Sequence, residues 1–163
     1  MKITKALHLL ILCFVTLAHG QILGAKSPCH VVFDAGSSGT RLYIYQEKNN
    51  QWITHRGPKT VALADPIRQI RGKTWADRHT VVNAIIATLD TEKHDFNWPE
   101  LCQVKSASIN GTAGMRLAEQ AYPNKSKALW GLLHQALTKR FPPGTTIKTQ
   151  TITGFEEGVY QYL

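Results

Sequence analysis

Val31-Val32-Phe33 runs into Asp34, then Ala35-Gly36-Ser37-Ser38-Gly39-Thr40, then the alternating Arg41-Leu42-Tyr43-Ile44-Tyr45. An apolar run ending in an acid, a tip of small residues and a returning stretch of period two define a hairpin. Its tip suits phosphate. Gly36 and Gly39 can take positive φ, so that successive backbone N–H groups point into one concavity and bind an anion. Ser37, Ser38 and Thr40 add hydroxyl donors, and Asp34 is placed to hold a divalent cation directly or through water. Gly and Ser are also ordinary turn residues. A plain two-residue turn needs far fewer special residues, which favours the phosphate reading.

The first twenty residues are of another kind. Lys2 and Lys5 precede an apolar run from Ala6 to Ala18, broken only by His8 and Thr16, and Ala18-His19-Gly20 offers small residues at a cleavage site. This pattern predicts a secretory signal peptide over residues 1–20, too short and too weakly flanked to span a membrane. The expected mature chain starts at Gln21, is secreted or periplasmic, and has no membrane segment. Cleavage removes Lys2 and Lys5 and lowers the net charge from +8 to about +6. The remaining basic residues are scattered and no RNA or DNA motif accompanies them, so a field favouring small polyanions is expected rather than nucleic-acid binding.

Cleavage also removes Cys13 and leaves Cys29 and Cys102. An even count in an exported chain implies a disulfide, and no C-x-x-C or nearby His set supports a metal pair. Cys29 precedes the first apolar run and Cys102 precedes a second, Val104 to Ile109. If those strands are parallel neighbours, the two cysteines lie at the same end within bridging reach.

Strands are expected at His30–Asp34, Arg41–Gln46, Gln51–Arg56, Gln103–Ile109 and Thr146–Thr151. Gly57-Pro58, Asp65-Pro66 and Gly72 punctuate a long loop over residues 57–72. Val81, Val82, Ile85, Ile86 and Leu89 recur at helical spacing and predict an amphipathic helix from Thr74 to about Leu89, followed by a polar loop from Thr91 to Pro99. His94 and Asp95 in that loop are read as solvated rather than as metal ligands. A helix is expected over Ala113–Ala121, and Asn124 reads as the N-cap of the next, with Leu129, Leu132, Leu133, Ala136 and Leu137 as its buried stripe.

Two further stretches carry chemistry. Asn110-Gly111-Thr112-Ala113-Gly114-Met115-Arg116 ends a strand in small residues just before a helix, an arrangement that sets a helix N-terminus against an anion. Gly154-Phe155-Glu156-Glu157-Gly158 opens a helix with paired carboxylates. Either both answer the helix dipole, or one faces a cleft as a base that takes a proton from water. The residues alone leave both open.

Asp34-Ala35-Gly36-Ser37-Ser38-Gly39-Thr40-Arg41, Thr112-Ala113-Gly114-Met115-Arg116 and Gly154-Phe155-Glu156-Glu157-Gly158 resemble, in order and spacing, the first three signature segments of the apyrase family. These are the ecto-nucleoside triphosphate diphosphohydrolases, and the chain looks most like their bacterial secreted members. The resemblance implies an α/β lobe of the actin-like ATPase (ribonuclease H-like) architecture. Such a lobe has a five-stranded mixed sheet of order 3-2-1-4-5 with flanking helices.

For the site, it implies that Ser37, Ser38, Gly36, Gly39, Thr40 and Arg41 hold the terminal phosphates of a nucleotide such as ATP or ADP. Asp34 would bind a water on the bridging Ca²⁺ or Mg²⁺, Glu157 would be the catalytic base, and Thr112 would help to hold the attacking water. The family's fourth segment and nucleobase pocket belong to a second lobe, so the expectation for residues 21–163 is a first lobe cut in the helix after strand five. A non-catalytic phosphate-binding fragment and an exopolyphosphatase-like hydrolase are the alternatives. Asn110-Gly111 stands where the family more often has Ala before the Thr.

Overall fold

The computed structural model describes residues 25–68 and 77–160. The expected signal peptide, and the expected helix start at Thr74, lie outside the described residues. β1 (Ser27–Gly36), β2 (Gly39–Lys48) and β3 (Gln51–Thr60) form an antiparallel meander. α1 (Arg78–Asp95) and the short α2 (Trp98–Leu101) lead to β4 (Cys102–Gly111), which pairs parallel to β1. α3 (Ala113–Ala121) and α4 (Pro123–Arg140) connect to β5 (Thr146–Thr151), parallel to β4, and α5 (Gly154–Tyr160) follows. The five strands lie in the order β3-β2-β1-β4-β5, as expected.

β1 shows why one face of the sheet is core. Cys29, Val31, Phe33 and Ala35 alternate inward and are almost fully buried, while Asp34 on the other face is exposed. β4 keeps its apolar side chains on the same face by means of an irregularity: Cys29 stands opposite Val104 but His30 opposite Ser106. The extra residue shifts the inward parity from Cys102 and Val104 to Ala107 and Ile109, and all four are buried. Cys29 and Cys102 are joined in a disulfide, with Cα atoms 5.5 Å apart at the starting ends of β1 and β4.

Three expectations need correction. β3 does not stop at Arg56 but continues through Gly57-Pro58 to Thr60. Tyr43 pairs with Arg56 while Arg41 pairs with Lys59, so β3 carries one residue more than β2 here. Proline fits such a bulge because its missing N–H is not called on. Residues 61–68 keep the expected loop, although Leu63 and Ile67 in it are completely buried in the core.

α1 ends later than expected. Asp77 caps it by accepting from the backbone N–H of His79 and Thr80, and the helix runs on through residues 91–95, with Glu92 on its buried stripe beside Leu89. Finally, Asn124 is not a cap, because α4 starts at Pro123, whose fixed φ suits the first helical position. The buried stripe of α4 is Ser126, Leu129, Leu133 and Leu137.

The β2–β3 connection uses Asn49 and Asn50 at φ of 53° and 58°, the pair of positive values that a tight hairpin matched to strand twist requires. No helix among the described residues is long and apolar enough to cross a membrane.

Candidate active site

The pairings place one polar row across the whole sheet. Lys59 of β3 stands opposite Arg41 of β2, Arg41 opposite Asp34 of β1, Asp34 opposite Asn110 of β4, and Asn110 opposite Gln150 of β5. Paired residues share a face, so these five side chains line one side of the sheet near the finishing ends of the parallel strands. In open α/β sheets that end is where ligands bind. Gln150 Nε2 donates to Asn110 Oδ1 at 3.3 Å, and Arg41 Nη1 donates to the carbonyl of Gly57 in the bulge at 3.3 Å.

Above this row the β1–β2 hairpin closes in only two residues, Ser37 and Ser38, with Gly36 paired to Gly39. The connection is thus shorter than the interval between the expected strands, which ended at Asp34 and resumed at Arg41. Gly39 takes φ of +153° and Gly36 does not take a positive value. Both serines are exposed. Thr40 differs from them: it is buried on the face of Leu42 and Ile44, and its hydroxyl has no hydrogen-bond partner among the described residues. Its side chain therefore lies on the core face, whereas Ser37 and Ser38 are exposed at the tip.

Gly114 explains how the hairpin meets α3. A Cβ added there would lie 3.2 Å from Ser37 Cα, so glycine lets the first turn of the helix sit closely against the serine turn without displacing it. Thr112, just before α3, is buried, and both its N–H (3.1 Å) and its hydroxyl (3.4 Å) donate to the carbonyl of Ala35. β1 and the start of α3 are thereby tied together beside Asp34.

The paired carboxylates divide their labour. Glu156 Oε2 accepts from the N–H (2.7 Å) and the hydroxyl (2.9 Å) of Thr153, while Glu156 N–H donates to Thr153 Oγ1 at 3.2 Å. This is a capping box, spelled out in Thr153-Gly154-Phe155-Glu156, and these hydrogen bonds hold the Glu156 carboxyl below its usual pKa. Glu157 is left out of the cap. Its Oε2 accepts from Arg116 Nη2 at 3.1 Å, and Arg116 Nη1 donates to the carbonyl of Ile152 at 2.8 Å. One guanidinium of α3 thus grips both the carboxylate and the chain that leads into α5. The sequence pattern of Thr112–Arg116 gives Arg116 no role. Local pattern gives none to Lys59, Asn110 and Gln150 either, since only strand pairing brings that row together.

Asp34 completes the group. Partial burial by its neighbours, although the side chain keeps contact with solvent, pushes its pKa up; the charge of Glu157 adds to this and that of Arg41 opposes it. Its ionised form therefore costs folding stability, a cost that appears as the pH rises through the interval from the ordinary aspartate value of 3.8 to the raised one. Asp34→Asn is expected to raise the midpoint of thermal unfolding at neutral pH, by less than about 1 kcal/mol of stability given the solvent contact. That difference should vanish below the ordinary aspartate value of 3.8. Equal stability of the two proteins at neutral pH, in a calorimetric comparison, would contradict it.

Two carboxylates that repel each other beside a hairpin of hydroxyls and N–H groups fit a divalent cation shared with phosphate. No group of three or more His, Cys, Asp or Glu residues among the described residues could hold a metal by itself. The fit is with an ion that touches few protein groups and is held mainly by water and phosphate oxygens, as Mg²⁺ often is.

Among solved structures, the chain is similar to the Ppx/GppA family member of Aquifex aeolicus, at 14% identity and a TM-score of 0.50, over 82% of this chain and 38% of that one. It is also similar to the nucleoside triphosphate hydrolases of Neospora caninum, at 17% identity and a TM-score of 0.47, over 98% of this chain and 34% of that one. No curated protein matches it. The chain spans little more than a third of the length of these solved chains. Sheet order and the first likeness define the class: a lobe of the actin-like ATPase fold. The model of the GDA1/CD39 (nucleoside phosphatase) family matches residues 25–163, and the chain belongs to that family.

Proposed function

We propose that this chain is the phosphate-handling lobe of a nucleotidase that hydrolyses nucleoside triphosphates and diphosphates, such as ATP and ADP, to monophosphate and orthophosphate. The observation that carries this function is the division between Glu156 and Glu157, which leaves one carboxylate free of the cap and within electrostatic reach of Asp34. Family membership supports the same chemistry. Ser37 and Ser38 would hold the terminal phosphate with their hydroxyls and backbone N–H groups. Glu157 would take a proton from water as its oxygen bonds to the terminal phosphorus, while the bond from phosphorus to the bridging oxygen breaks and its electron pair leaves with the shortened nucleotide. Thr112, whose hydroxyl is donated to Ala35, keeps lone pairs that can accept from that water. A Ca²⁺ or Mg²⁺ held through water by Asp34 would neutralise the developing charge on the phosphates.

Arg116 is a positioning residue in this scheme, because its fork fixes Glu157 relative to Ile152. Arg116→Lys keeps the charge but not the two-pronged grip. It is expected to lower kcat by up to about a hundredfold with little change in KM. Unchanged kcat would remove Arg116 from the mechanism.

The Cys29–Cys102 disulfide and the segment read as a signal peptide support a secreted or periplasmic setting. Orthophosphate release by the chain from ATP, ADP and long-chain polyphosphate, with Mg²⁺ or Ca²⁺, tests the assignment. Release from both nucleotides at rates above that from polyphosphate is expected. A preference for polyphosphate would point to an exopolyphosphatase-like hydrolase, and release from none of the three would leave a phosphate-binding module without catalysis.

A further inference from the structure

Lys59 is aimed at the serine turn by a backbone irregularity. In a regular strand a residue three places from Arg56 faces the opposite side of the sheet. The extra residue at Gly57-Pro58 reverses that parity, so that Lys59 pairs with Arg41 and joins the face of Asp34. Bulges of this kind redirect side chains beside functional sites.

The lysine stem is also fixed in place. A Cβ at Gly39 would lie 2.4 Å from Lys59 Cε and 3.2 Å from its Cγ, so the side chain lies across that glycine. Its ammonium donates to Ser38 Oγ at 3.0 Å. Surface lysines ordinarily leave the charged end in water. This one is folded back onto a hairpin tip although it is exposed, and among the described residues it pairs with no carboxylate. Directly opposite it stands Arg41, and like charges in opposed cross-strand positions repel. An anion bound at the tip would relieve that repulsion.

We propose that Lys59 is a phosphate-binding residue, its ammonium held over the Ser37–Ser38 turn to grip the outermost phosphate of a polyphosphate tail. This rests on the hairpin being the phosphate site. A lysine suits the position because a compact charge with rotatable donors can follow a phosphoryl group as its geometry changes.

Binding of inorganic tripolyphosphate to the full chain, measured by calorimetry, tests the proposal alongside acetylation of lysines followed by peptide mass spectrometry. Lys59→Met is expected to weaken binding by about tenfold, the loss of one charge-assisted hydrogen bond. Lys59→Arg should retain most of the affinity, and Lys48→Met, at the far end of β2, all of it. In the unaltered chain tripolyphosphate should slow acetylation of Lys59 and not of Lys48, a readout that does not depend on any variant folding. If the unaltered chain binds but Lys59→Met binds equally well and Lys59 is not protected, Lys59 has no such role while the hairpin assignment stands. If the unaltered chain does not bind tripolyphosphate, the hairpin assignment falls and the role of Lys59 with it.

Discussion

Exchanging Glu157 for Gln is expected to lower orthophosphate release from ATP by about a hundredfold to ten-thousandfold, the range a positioned general base contributes. The fold should be untouched. Gln keeps an oxygen that accepts from Arg116, and the cap of α5 rests on Thr153 and Glu156 rather than on Glu157. The neighbouring exchange, Glu156→Gln, is the informative control, because it perturbs the helix start without removing the base. Its effect should be small in rate and confined to the stability of α5. Steady-state assays with Mg²⁺ or Ca²⁺ would separate the two positions. Equal losses at Glu156 and Glu157 would mean that the pair acts only through the helix.

Breaking the Cys29–Cys102 bridge is the second large effect. The bridge closes a loop with a sequence separation of 73, and the chain-entropy relation for a loop of that size gives about 4 kcal/mol. That is a large fraction of the stability of an ordinary domain. The double exchange Cys29→Ala with Cys102→Ala, or reduction of the native protein, should lower the thermal midpoint by about ten degrees. The bridge lies at the starting ends of β1 and β4, whereas Asp34, Thr112 and the serine turn lie at the finishing ends. Activity per folded molecule should therefore survive at low temperature. A midpoint that does not move on reduction would show that the closed loop adds nothing to stability.

The sheet order was legible for two reasons that reinforce each other. The cysteine pair required β1 and β4 to be neighbours if they run parallel, and the three signature segments carried the same topology. Helix ends and strand ends were less legible, because tertiary burial overrode local cues. The polar stretch 91–95 stayed helical because Glu92 falls on the buried stripe of α1, and Trp98 Nε1 donates back to the carbonyl of Leu89 at 3.0 Å. Gly57-Pro58 read as a breaker, yet Gly57 lies in β3 against Glu92 of α1. A Cβ there would meet Glu92 Oε2 at 3.0 Å, and the bulge absorbs the proline.

Within the candidate site, Ser37, Ser38, Asp34 and Thr112 stand out in the hairpin and the strand-to-helix junction, whereas the burial of the Thr40 hydroxyl depends on strand parity, which loop composition does not encode. The separate roles of Glu156 and Glu157 were in fact written in the sequence. Thr153-x-x-Glu156 is a capping-box pattern that leaves Glu157 outside the cap. Arg41, Asn110 and Lys59 form a row only through pairing across strands distant in sequence, which no local pattern encodes.

The most direct test of the account is to follow backbone amide resonances of the isotope-labelled chain while adding a non-hydrolysable ATP analogue with Mg²⁺. The amides of residues 36–41 and 112–114 should shift together and saturate at one ligand concentration, with Glu157 responding in the same titration. Saturable shifts elsewhere, with the serine turn and the start of α3 unmoved, would contradict a phosphate site between the hairpin and Glu157.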